Sequence, residues 1–176
     1  MAEPTPAPGE TGPGFKLADE LPESVSYWGG SPPLQVQQLW FSLQRLEWST
    51  LVVVPAGPES SGMDFGRPLY EVGRLALGER LRLLDARQTQ VSGTAGVILD
   101  MLGADARRPA RTQWSERVLV VIESVVSHPT GIPLALASDA MVLGVELGRS
   151  SLISARRTLD TLGRSRFVGC LTLPPA

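Results

Sequence analysis

Residues 50–64 read "TLVVVPAGPESSGMD". An unbroken apolar, β-branched run predicts a strand covered on both faces, and the glycines and serines after it predict a tight loop. The next stretch, "FGRPLYEVGRLALGE", places Phe65, Leu69, Val72 and Ala76 on one helical face. Gly57 and Gly62 keep the spacing of the phosphate-cradling loop GxxxxGK followed by Ser or Thr. In such a loop, backbone N–H groups and the helix N-terminus hold phosphate, the lysine neutralises it, and the hydroxyl ligates magnesium. Here Met63 and Asp64 stand at those last two positions. Gly57, Pro58, Glu59, Ser60, Ser61, Gly62, Met63 and Asp64 therefore read as a vestigial nucleotide loop, and no nucleotide cofactor is expected.

Outward from this unit the alternation continues. "RLRLL" (80–84), "RVLVVIE" (117–123), "AMVLGVEL" (140–147) and "RFVGCLTL" (166–173) read as further strands. Val36, Leu39, Trp40, Leu43 and Leu46 recur at helical spacing, as do Leu152, Ala155, Leu159 and Leu162. Strands alternating with helices predict parallel βαβ units. The expected class is α/β: a three-layer fold with a mostly parallel sheet of at least five strands and helices on both faces.

The chain of 176 residues, 43% hydrophobic, suffices for one domain. Residues 1–32, dense in Pro and Gly, read as a disordered arm, with Tyr27 and Trp28 near its end. Residues 33–176 form the expected domain. A formal charge of −2 lacks the basic footprint of a nucleic-acid binder. A single cysteine, Cys170, excludes an intrachain disulfide and a zinc cluster, so no metal is expected. With no leader pattern and no apolar run of spanning length, the expected location is cytoplasmic, with no membrane span.

Five segments, "LQVQQLWFSLQRL", "LVVVPAGPESSGMD", "GERLRLLDARQT", "ERVLVVIESVV" and "LALASDAMVLGVELGRSSLISARRTLDTLGRSRFVGCLTL", carry a wider likeness. In that order they resemble the cytoplasmic tyrosine-kinase domain of bacterial polysaccharide export systems, a branch of the MinD/ParA-like P-loop ATPases. The resemblance covers roughly residues 33–173, with Asp139, Gly148, Leu162, Gly163 and Gly169 in matching places. The family's Asp-x-Asp motif stands here as Asp85-Ala86-Arg87, and its third acidic motif as Glu123-Ser124-Val125-Val126. Its ring-assembly Glu-x-x-Arg-x-x-Arg falls on Leu34, Gln37 and Trp40, and no tyrosine-rich tail follows the last strand. Asp85, Arg87 and Glu123 are thus vestiges of the acidic motifs.

The resemblance implies a catalytically inactive scaffold or regulator whose protein partner is a membrane-bound polysaccharide export or synthesis component. Two alternatives are residual nucleotide binding, with Arg67 replacing the lost lysine, and an accessory role in a MinD/ParA-type positioning system. Relatives that assemble around the nucleotide face imply a homodimer there. Asp64 reads either as an acid favouring a helix's first turn, worth about 0.3–1 kcal/mol, or as the partner of Arg87 across the vacated pocket. Glu123 reads as a leftover acid, His128 as a surface loop residue, and Cys170 as a small core residue. The basic stretches 104–111 and 154–166 read as solvated faces or as contacts for an acidic partner or anionic lipid.

Overall fold

The computed structural model describes residues 16–17, 31–87 and 116–174. In chain order its elements are β1 (Lys16–Leu17), α1 (Leu34–Gln44), β2 (Thr50–Pro55), α2 (Gly62–Leu77), β3 (Leu81–Asp85), β4 (Arg117–Val121), α3 (Ile132–Ala137), β5 (Ala140–Glu146), α4 (Leu152–Leu162) and β6 (Phe167–Leu173). Every residue of β2 is buried. Its successive side chains enter opposite cores, Leu51 and Val53 one, Val52 and Val54 the other. A strand apolar on both faces is stable only between two layers, and this sets the architecture.

The sheet runs β3-β4-β2-β5-β6, all parallel, with β1 antiparallel on the β3 edge. This order is compatible with a P-loop-like fold, and the three-layer α/β class expected from the sequence is the one found. One helical layer, α1 and α2, covers Leu51, Val53, Leu83, Leu119 and Val121 with Trp40, Leu43, Phe65 and Leu69. The other, α3 and α4, covers Val52, Val54, Val120 and Met141 with Leu134, Ala135 and Leu162. Trp40 stands edge-on to Trp48, with ring centroids 6.1 Å apart. The Trp48 indole donates to the Leu43 carbonyl at 2.9 Å, and the Arg117 guanidinium lies 4.7 Å from its ring centre. Asp139 accepts the N–H groups of Ser49 and Thr50 at 2.7 and 2.9 Å, fixing the start of β5 to the start of β2.

Four sequence expectations change in detail. Leu46 is exposed because α1 ends at Gln44, after which helical spacing no longer sets a side chain's direction. Ala76 is exposed in the last turn of α2, where the chain leaves through Gly78 at φ 60°. Leu152 is exposed at the tip of α4, whose buried residues are Thr158 and Leu162. Cys170 is exposed on the edge strand β6, although its surroundings still desolvate the thiol enough to raise its pKa. Within the segment read as a disordered arm, Lys16 and Leu17 pair antiparallel with Asp85 and Leu84 of β3. The rest of that expectation lies outside the described residues.

Candidate functional site at the carboxyl edge of the sheet

In a parallel sheet the loops after the strands gather at one edge, and the central strand β2 delivers residues 56–61 there. The loop is tied down at both ends. Ala56 donates its N–H to the Gly144 carbonyl at 2.7 Å and accepts the Thr158 hydroxyl at 3.2 Å. Ser61 caps α2, its hydroxyl accepting the Met63 N–H at 3.3 Å, and its carbonyl accepts the Asp64 N–H at 3.1 Å. Gly62 is required by close approach: a Cβ there would collide with the Ile122 carbonyl at the end of β4. Pro58 and Glu59 form the exposed crest, while Gly57 and Ser60 are buried.

The space beside the loop is taken up by the protein's own side chains. Met63, at the position where the sequence pattern would place a lysine, is half-buried and packs on the core beneath α1 and α2. Arg87 lies across the neighbouring space. Its Nε and Nη2 donate to the two carboxylate oxygens of Asp85 at 2.8 and 2.7 Å, and its Nη1 donates to the Ser61 hydroxyl at 2.8 Å. Asp85 also accepts the Arg87 backbone N–H at 3.2 Å. The bidentate bond to Asp85 raises the Arg87 pKa, with Glu123 and Asp64 adding through space against the opposing effect of burial. The expected Asp64–Arg87 pairing is therefore corrected. Asp64 forms no ion pair with Arg87 among the described residues, because Asp85, two residues away on the same strand end, reaches the guanidinium first.

Glu123 joins the same group. Burial raises its pKa, Asp85 and Asp64 add to that rise, and Arg87 and His128 oppose it. Since its folded-state pKa lies above its ordinary value, its contribution to stability falls as pH rises through that folded value. A magnesium site does not fit here, because the Arg87 guanidinium already binds Asp85 and the Ser61 hydroxyl. Among the described residues, no three His, Cys, Asp or Glu side chains converge closely enough to hold a metal ion. Arg67, the alternative counterion, stands over Glu71 at 3.9 Å on its own helix. His128 is exposed, with Nδ1 3.0 Å from the Ser127 hydroxyl.

One residue of this edge escaped the sequence reading. Glu146, at the end of β5, is buried and accepts the Ser60 hydroxyl at 2.7 Å and Arg149 Nη1 at 3.0 Å. The Ser60 bond holds its pKa below the usual carboxylate range, with Arg149 assisting and burial opposing. Its signal was a lone acid inside the apolar run "AMVLGVEL" with an arginine three residues on. A buried carboxylate needs such partners.

No protein-family model matches the chain, and no curated protein matches it either. Among the described residues no helix is long and apolar enough to cross a membrane.

Proposed function

We propose that this chain is a catalytically inactive P-loop-like domain that works as a scaffold or regulator through protein contacts, in bacterial polysaccharide synthesis or export. The observation that supports the inactive part is Arg87, bound to both Asp85 and Ser61 beside the 57–64 loop. Met63 reinforces it, since its position supplies an apolar side chain to the core in place of an ammonium. A triphosphate entering here meets Asp64, Asp85 and Glu123 with the Arg87 guanidinium already engaged, and repulsion between like charges opposes binding. The pathway part rests on the resemblance of residues 33–173 alone, and fold-level likeness is the weaker warrant.

Titration calorimetry of the purified chain with ATP and magnesium tests this reading. The expected result is no saturable heat at millimolar nucleotide. A magnesium-dependent micromolar dissociation constant would overturn it and establish the residual nucleotide-binding alternative.

A further inference from the structure

The outward face of α4 opens with Leu152 and Ile153, 86% and 68% exposed, and Leu147 at the end of β5 adds a third large apolar side chain at 50%. Ile153 lies opposite the buried residues of α4, Thr158 and Leu162, and Leu152 stands exposed because it sits in the helix's first turn, ahead of the part that packs on the sheet. Arg156 and Arg157 follow Leu152 and Ile153 by four residues and share their exposed face. From residue 146 to 166 the chain carries five arginines against two carboxylates. Those two acids are already engaged, Glu146 with Ser60 and Arg149, and Asp160 with Arg156 at 3.8 Å and Arg164 at 2.8 Å. Five arginines against two acids leave this stretch a net charge of +3 behind its apolar tips, with the Glu59 carboxylate of the loop crest near Ser154.

We propose that this stretch is a docking tip for a bilayer surface containing anionic phospholipid, with Leu152 and Ile153 entering the interface and Arg156 and Arg157 meeting the headgroups. Four residues of helix set the guanidinium-bearing turn about 6 Å behind the leading turn. That matches the roughly 5–10 Å to which interfacial apolar side chains are buried. The long arginine stems allow their charges to remain at headgroup level while the tip goes deeper. An acidic protein surface would satisfy the arginines but offers no reason for two large aliphatic groups at the leading point. The end of β5 and the start of α4 share the sheet edge that carries the 56–61 loop, so docking would turn that edge toward the membrane.

Co-sedimentation of the full chain with phosphatidylcholine vesicles, with and without phosphatidylglycerol as a third of the lipid, tests the proposal. The chain should sediment only with the anionic vesicles. Replacing Arg156→Gln together with Arg157→Gln should weaken partitioning about 30-fold, from about fivefold for each arginine near such a surface. Leu152→Ser with Ile153→Ser should abolish sedimentation while circular dichroism stays unchanged, as the four positions are exposed. A polarity-sensitive dye on Ile153→Cys, in a Cys170→Ser background, should shift to the blue on anionic vesicles. Absence of wild-type sedimentation would overturn the proposal, as would sedimentation unaffected by both double variants. Retention of the wild type by polyglutamate but not by anionic vesicles would replace the lipid with an acidic protein surface.

Discussion

Arg87 directs its three guanidinium nitrogens at two side chains, and the choice between its acidic neighbours is a matter of reach. Asp85 touches it through two parallel bonds, whereas Asp64 acts only through space. A double-mutant cycle of Asp85→Ala with Arg87→Ala should therefore give a stabilising coupling of about 0.5–3 kcal/mol, while Asp64→Ala with Arg87→Ala should stay within about 0.5 kcal/mol of additivity. Chemical denaturation of the single and double variants measures both. Glu146 is a second case in which contact decides the outcome. Truncating it leaves the buried Ser60 hydroxyl unpaired, so Glu146→Ala should cost about 1–3 kcal/mol at pH 7. Its folded-state pKa lies below the ordinary 4.5, so its stabilising charge is present above that value and is lost as pH falls through the lower folded one. The deficit of Glu146→Ala should accordingly shrink in acid, as urea titrations at descending pH would show; a deficit constant with pH would mean that the carboxylate contributes through packing alone.

At the scale of elements, the loop and the helix after it are held by their fit against β4. Gly62 opens α2 where the chain passes over the Ile122 carbonyl, and any side chain there must push the helix start away from the strand. Gly62→Ala should destabilise the protein by about 1–3 kcal/mol, the usual range for overpacking, with the melting temperature as the readout. An unchanged melting temperature would show that the loop can retreat without loss. This glycine stood out in the sequence through its partner Gly57 and the phosphate-loop spacing, a reading of chemistry. In the structure its requirement is steric and would hold with no phosphate ever bound. Pro68 carries the converse lesson. It lies inside α2, which continues past it because Phe65, Leu69 and Val72 are buried on both sides of the proline.

The whole molecule assembles its candidate site from the ends of four strands: β2 brings the loop, β3 brings Asp85 and Arg87, β4 leads to Glu123, and β5 supplies Glu146. Changing two residues of the loop leaves the other contributions in place. Met63→Lys combined with Asp64→Thr should thus fail to bind ATP and magnesium in calorimetry, because Arg87 still bridges Asp85 and Ser61 and the new ammonium replaces an apolar contact with the core. Micromolar binding by that double variant would show that Arg87 moves aside readily. The sequence by itself determined the α/β class and the strand–loop–helix unit at 50–77, since these depend on local pattern and residue identity. It located the two-sided burial of β2 because an unbroken apolar run admits no solvent-facing edge. Only the tertiary structure decided which acid holds Arg87, that Glu146 is wired to Ser60, that Cys170 and Leu152 face outward, and that Lys16–Leu17 extend the sheet. The Glu146–Ser60 bond and the Lys16–Leu17 pairing join segments far apart in the chain, and the exposure of Cys170 and Leu152 depends on which neighbours cover them, neither of which a one-dimensional pattern contains.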